Sequence, residues 1–242
     1  MAEGEPAIPQ VATQDAWLAQ RKALLAKEKA LTKAQDALNA ERRRLPMVRV
    51  DKEYVFDGPD GKVTLAGLFD GKKQLIVYHF MFDPADAAGC PGCTGYINAI
   101  GDLSYLKERD TAFVIVSRAP LPKLQAYKAA HGWTIPWYSS FGSDFNYDYH
   151  VTLDESVAPL EYNYKDKAEL EATSGVGKVN GEMPGASVFF KVGDDIFHTY
   201  STYARGGEYL TSATTLLDIT PYGRQEDFEV SPPGWPQRPT YG

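Results

Sequence analysis

The chain holds two cysteines, Cys90 and Cys93, and they stand two residues apart in the segment FDPADAAGCPGCTGYI at positions 82–97. Such a pair supports two chemistries. One thiolate can attack a disulfide while the second thiol, one helical turn along, resolves the mixed disulfide. Alternatively, both thiolates can bind a soft or borderline metal with further ligands from elsewhere. A third reading gives the pair no chemistry at all. The pair follows an apolar run, QLIVYHFMF (74–82), and precedes residues with helical spacing. The first cysteine is therefore expected at a helix N-terminus, where unpaired N–H groups and the helix dipole favour thiolate over thiol. That assigns Cys90 as the nucleophile and Cys93 as the resolving thiol.

Other side chains could join them. Of the four histidines, His79 ends the apolar run and His198 lies between Phe197 and Thr199 on a later strand. With Cys90 and Cys93, His198 and His79 would make a copper or zinc site. His131 precedes Gly132 at a helix end, where a cation is favourable, and His150 carries no signal. Arg118 follows a buried strand at the edge where open α/β sheets place ligands, and Arg205 follows a hairpin. Either would attract an anionic substrate or lower a thiol pKa. Asp83, before Pro84, is a candidate proton shuttle but reads better as a turn former. The many tyrosines read mostly as core and rim packing.

Composition narrows the classes. With 242 residues, a net charge of −7, and 24% charged residues, the chain has no long basic face and is not expected to bind nucleic acid. The Arg42-Arg43-Arg44 cluster closes a helix, where it offsets the negative end of the dipole. The start, MAEGEPAIPQVATQ, has neither a basic nor an apolar signal region, and no apolar stretch approaches the ~20 residues that span a bilayer. A reducing cytoplasm is the expectation, and there a CxxC favours redox or metal chemistry over a structural disulfide.

The elements that must position the pair are legible in outline. A helix is predicted over 14–44, free of internal Gly and Pro and ended by Pro46. Trp17, Leu24, Leu31, Leu38 and Leu45 recur along it every seven residues. The stripe suits docking on the chain's own body or across a homodimer better than a free coiled coil. A hairpin turning at 59–61, a strand at 74–82, a helix at 94–108, a strand at 111–117, a helix at 121–131 and a short strand near 135–138 follow. After a short helix near 145–150 and an irregular insert, a hairpin turns at 193–195 and a final helix covers 208–219. The domains so read are a mobile start (1–13), the long helix (14–46), an α/β domain (47–224) with an insert (about 142–182), and a Pro-rich tail (225–242).

The order strand, CxxC, helix, strand, helix, then Met183-Pro184 before a hairpin and helix resembles the thioredoxin superfamily. The extra strand and the insert point to its peroxiredoxin-like branch. The resemblance implies a three-layer α/β sandwich with a central mixed sheet. It also implies that Pro184 is a cis-proline facing the CxxC, shaping a substrate groove with Met183, Arg118 and Arg205. The blocks RKALLAKEKALTKAQDAL, RRRLP, YHFMFDP, GCPGC, MPGASVFF and FHTYSTYARGG, spread over about 14–224, resemble a bacterial family of thioredoxin-like proteins catalogued as a domain of unknown function. Peroxiredoxins carry Pro-x-x-x-Thr-x-x-Cys, whereas here Ala87 stands in place of that threonine and Pro84 lies six residues ahead of Cys90, so a peroxidase of that type is disfavoured. Thioredoxin-fold copper chaperones use two loop cysteines and a distant histidine, a layout that Cys90, Cys93 and His198 resemble apart from the cysteine spacing.

The leading expectation is a thiol–disulfide oxidoreductase that needs no cofactor and acts on a protein or small-molecule disulfide. A copper- or zinc-binding protein or metal-dependent enzyme is the alternative. A non-catalytic scaffold assembled through the long helix is the third.

Overall fold

The computed structural model describes residues 7–174 and 180–239. The expected mobile start over 1–6, the stretch 175–179 of the insert and the last three residues of the tail lie outside them. The described chain forms two compact units, divided after Pro46 and before Leu216.

The first unit contains helix α1 (Gln14–Arg42) and the C-terminal tail. Thr13 caps α1, its hydroxyl accepting the Ala16 N–H at 3.3 Å. No residue of α1 is buried. The tail is tied by its own bonds: Tyr222 donates to the Ala7 carbonyl at 3.1 Å, and Arg224 grips Asp218 at 2.6 Å.

The second unit, Met47–Thr215, carries the cysteines. Its strands and helices run β1 (Val48–Arg49), β2 (Val55–Gly58), β3 (Gly61–Thr64), β4 (Gln74–His79), α2 (Pro91–Ala99), α3 (Ser104–Lys107), β5 (Thr111–Ser117), α4 (Leu121–Ala130), β6 (Trp137–Ser139) and α5 (Phe145–Asp148). Then come β7 (Thr152–Leu153), β8 (Glu161–Tyr162), β9 (Lys165–Asp166), α6 (Lys167–Ser174), β10 (Gly181–Glu182), β11 (Gly185–Val192), β12 (Asp195–Tyr203) and α7 (Ser212–Leu217), the last reaching two residues past the unit. One mixed sheet has the order β1-β12-β11-β4-β5-β6-β2-β3. Strands β4, β5 and β6 are parallel, and β11 lies antiparallel on the other side of β4. This is the thioredoxin-like α/β sheet that the resemblance implied, extended at one edge by the β2–β3 hairpin.

The centre of the sheet is buried on both faces, and strand periodicity sorts its side chains. Tyr78, with Phe80 and Phe82 beyond the strand end, faces a cluster holding Ile115, Leu124, Trp137, Ile97 and Cys93. Leu75 and Val77 face the other side, with Phe56, Val114, Val116, Phe145 and Phe189. Each such side chain, fully buried, contributes about 1.5–3 kcal/mol.

Three elements depart from the predicted pattern. The helix expected over 94–108 begins at Pro91 and breaks at Ile100, whose ψ is 126°. Gly101 is a poor helix residue, and the Asp102 carboxylate accepts the Ser104 N–H and hydroxyl at 2.9 and 2.6 Å, a local alternative to the helix. The insert is less irregular than expected: β7 pairs with β10, and β8–β9 form a hairpin with Asn163 and Tyr164 at φ 52° and 61°. The final helix is confined to Ser212–Leu217, because Ala204–Leu210 winds as a 3₁₀ segment.

Candidate active site

The segment after β4 returns on itself before α2 starts. Asp83 makes the turn, its carboxylate accepting the Ala85 N–H at 2.8 Å. Lys123 of α4 clamps the loop by donating to the carbonyls of Pro84 and Asp86 at 2.7 and 2.8 Å. The Cys90 N–H donates to the Met81 carbonyl at 3.1 Å, which brings the first cysteine back beside the strand end. Cys90 is then the N-cap of α2, and Pro91 takes the first helical position, where a missing N–H costs nothing. Thr94 closes the turn with N–H and hydroxyl bonds to the Cys90 carbonyl at 2.9 and 2.8 Å. Its hydroxyl also meets the Tyr127 hydroxyl at 2.9 Å.

Gly89 is required by a close approach. A Cβ there would lie 2.6 Å from the Phe80 ring and 3.3 Å from Tyr127. Gly89→Ala is therefore expected to cost about 1–3 kcal/mol, the usual range for overpacking a filled core. Urea unfolding measures it, and unchanged stability would show that the Phe80 contact is slack.

The two cysteines are free and approach to 3.9 Å. Their environments differ. Cys90 is half-buried, and its thiol is lowered to about 6. The chief cause is the hydrogen bond from Cys93, helped by the N–H groups of Gly92 and Cys93 at the helix start, against burial and the charge of Asp86. Cys93 is 3% exposed. Its thiol is pushed well up by the Cys90 hydrogen bond, by burial and by the Cys90 charge. Two groups act in the opposite sense, the Tyr78 hydroxyl and the Met81 N–H, the latter 3.5 Å from the sulfur. These opposed shifts make the outer thiol the more acidic of the two.

The histidines are not brought to this pair. His79 belongs to the opposite parity of β4 from Tyr78, and so lies on the far face of the sheet against Phe145 and Tyr149. There its Nε2 meets the Ser187 hydroxyl at 2.8 Å, Ser187 meets Ser201 at 2.8 Å, and Ser201 meets His198 Nε2 at 2.7 Å. Burial lowers His79 to about 3 and also lowers His198, so both are neutral. Among the described residues no group of three or more His, Cys, Asp or Glu side chains is placed to hold a metal ion. The expected set of Cys90, Cys93, His198 and His79 does not form, because one-residue alternation puts imidazoles and thiols on opposite faces.

The groove residues have mixed fates. The described residues contain no cis peptide bond, so the Met183–Pro184 bond is trans, the ordinary state. The Pro184 carbonyl accepts the Tyr162 hydroxyl at 2.7 Å, and Tyr162 is near enough to Cys93 to feel its charge. Met183 packs with Val151, Leu153 and Tyr203. Arg118 is engaged rather than open to an anion: it lies 3.2 Å from the buried Glu182, 3.7 Å from Asp83 and 3.0 Å from the Tyr147 hydroxyl. Arg205 pairs with Glu208 at 3.4 Å.

Sequence reasoning missed Tyr78, Lys123 and Glu182. Tyr78 carried a signal, since it shares its parity with Phe80 and Phe82, but with both faces of β4 apolar nothing said which parity meets α2. Lys123 and Glu182 carry no signal in the sequence, and only the fold reveals their partners.

No helix among the described residues is long and apolar enough to cross a membrane. The structure is similar to that of the Xanthomonas campestris bacterioferritin comigratory protein, studied for alkyl peroxide reduction, with 13% identity over 64% of this chain and 84% of that one and a TM-score of 0.41. Peroxidoxin BcpB of Mycobacterium tuberculosis matches at 16% identity over 66% and 85% with a TM-score of 0.39. A PrxQ variant of Xylella fastidiosa matches at 12% over 65% and 82% with a TM-score of 0.42. These likenesses are distant, and the strand order above carries the fold. No curated protein matches the sequence. Residues 6–241 match the family described as bacterial proteins of unknown function, DUF899, and the chain belongs to that family.

Proposed function

We propose that the protein is a thiol–disulfide oxidoreductase in which Cys90 attacks and Cys93 resolves. The observation that supports this most is the inequality of the two thiols at 3.9 Å, the half-buried one ionising at about 6 and the buried one held protonated. The Cys90 thiolate attacks one sulfur of a substrate disulfide, and the first substrate thiolate leaves and takes a proton. Cys93 then attacks the Cys90 sulfur, the mixed disulfide breaks, and the second substrate thiolate leaves with the Cys93 proton. The dithiol loses two electrons and the substrate gains them. No metal or organic cofactor is needed for any step. The substrate is a protein or small-molecule disulfide, met on the half-buried side of Cys90.

The test is trapping. Cys93→Ser incubated with a disulfide substrate should accumulate a stable mixed disulfide on Cys90, seen by intact mass and reversed by reductant. Cys90→Ser should accumulate none. If Cys93→Ser turns over like wild type, the roles are wrong; if both variants resemble wild type, the scaffold reading replaces this one.

A further inference from the structure

Resolution of the mixed disulfide requires the two sulfurs to close from 3.9 Å to the ~2.05 Å of a disulfide bond while substrate is still attached to Cys90. Cys93 is 3% exposed and packed into the core, so the closing depends on where Cys90 is held. Cys90 is the N-cap of α2, and helix ends are the parts that open most readily.

The backbone of Cys90 is tied at both polar groups. Its N–H donates to the Met81 carbonyl at 3.1 Å. Its carbonyl has two lone pairs, and they accept the Thr94 N–H at 2.9 Å and the Thr94 hydroxyl at 2.8 Å. The Thr94 hydroxyl has a single proton and commits it to this carbonyl. At its 2.9 Å contact with the Tyr127 hydroxyl it therefore accepts, and Tyr127 donates. The Gly89 carbonyl, just before Cys90, is a longer second acceptor for Tyr127 at 3.5 Å. The bonds thus run in one direction, from Tyr127 to Thr94 to the carbonyl of Cys90.

Tyr127 reaches in from α4. It stands four residues after Lys123 and shares its face of that helix. Lys123 holds the loop before Cys90 through the Pro84 and Asp86 carbonyls, and Tyr127 holds the turn after it. The Tyr127 ring is set among Phe82, Trp133, Phe80 and Trp137, with centroids 5.5, 5.9, 6.2 and 6.2 Å away. Its hydroxyl is therefore placed by the aromatic core and not by the loop it steadies.

We propose that Tyr127 and Thr94 are positioning residues for the resolving step: their hydroxyls lock the cap residue of α2 to α4, so that the Cys90 sulfur stays within reach of Cys93 while it is joined to substrate. This rests on the dithiol reading. In that step Cys93 loses its proton and its sulfur attacks the Cys90 sulfur. The Cys90–substrate bond breaks, its electron pair and the proton leave with the substrate sulfur, and the Cys90–Cys93 bond forms. A substrate attached to Cys90 pulls on the first turn of α2. With the turn tied to α4, the inner thiol keeps a high effective concentration at the bond it must attack. The first attack needs no such closing and is indifferent to the tie.

The experiment uses the reduced full-length chain and the aromatic disulfide of 5-thio-2-nitrobenzoate, which releases one coloured thiolate on attack and a second on resolution. Tyr127→Phe keeps the ring, and Thr94→Val keeps the shape; each removes one hydroxyl. Both should leave the first phase and its pH midpoint near 6 as in wild type. Both should slow the second phase about tenfold, the scale of a misplacement well under 1 Å. The Cys90–Cys93 disulfide should be about tenfold less stable against glutathione, a potential about 30 mV less negative. Thr94→Ser restores the hydroxyl and should restore the second phase. Because the two hydroxyls act through one path, the double variant should be no slower than Thr94→Val alone. An unchanged second phase and potential in either deletion variant overturns the inference. A first phase slowed as much as the second also overturns it, since the tie would then serve only the fold of the loop. A wild type that releases a single coloured thiolate overturns the dithiol reading itself, and is told apart because no substitution is needed to see it.

Discussion

Cys90→Ser is expected to lower disulfide exchange by about 10³-fold or more, the scale seen when a catalytic nucleophile is removed. Cys93→Ala should behave quite differently, and the reason is quantitative. The Cys90 thiol stands at about 6 instead of 9.0, chiefly because Cys93 donates to it. At pH 7 that depression raises the thiolate fraction about ninetyfold, but a less basic thiolate is a weaker nucleophile by about twentyfold over the same span. Removing Cys93 should thus cost at most about sixfold in the first attack at pH 7, while the pH midpoint for Cys90 alkylation climbs from about 6 toward 9.0. Iodoacetamide alkylation followed across pH measures both quantities. A midpoint that stays near 6 in Cys93→Ala would mean that the helix N–H groups alone hold the thiolate.

Arg118→Met is expected to destabilise the fold by about 3–5 kcal/mol above neutral pH, the penalty for leaving a buried charge without its partner. The Glu182 side chain is 5% exposed. Burial pushes its carboxyl up to about 7, against the pull of Arg118 and of hydrogen bonds from Thr152 at 2.9 Å and Asn146 at 3.3 Å. Because the folded value lies above the unfolded one, this group lowers stability as pH rises from about 4.5 to about 7, and the loss is complete above that. Without Arg118 the folded value rises further, so the variant keeps losing stability at higher pH, whereas near pH 5 its carboxyl is protonated and most of the deficit disappears. Urea unfolding at pH 5 and pH 8 separates these cases. The double variant Arg118→Met with Glu182→Gln should recover most of the loss at pH 8. An equal deficit at both pH values would show that Arg118 acts by packing over Tyr147, 5.2 Å below its guanidinium, and not by charge.

The parts of this protein that follow from local chemistry were legible in its sequence. The strands at 111–117 and 185–203 and the helix at 121–130 are set by periodicity, proline and glycine within a few residues. The placing of Cys90 at a helix N-terminus follows from the same signals. What the sequence hid is what depends on the choice between two faces. His79 and Tyr78 are neighbours in the chain, yet one backs the dithiol and the other lies across the sheet, and no property of a strand apolar on both sides distinguishes them. The conformation of the bond before Pro184 was likewise taken from resemblance, and the chain adopts the ordinary trans form. Glu182 and Arg118 are 64 residues apart, and their pairing depends on β10 and the end of β5 meeting beside the Asp83 turn.

The most direct test of the account is a redox titration of the wild-type chain in glutathione buffers of graded ratio, with each sample acid-quenched, alkylated and weighed intact. The account predicts a reversible, two-electron conversion between a species with two alkylated cysteines and one with none, joined by a Cys90–Cys93 disulfide. Cysteines that stay fully alkylatable across the whole range, or that oxidise only between chains, would contradict it.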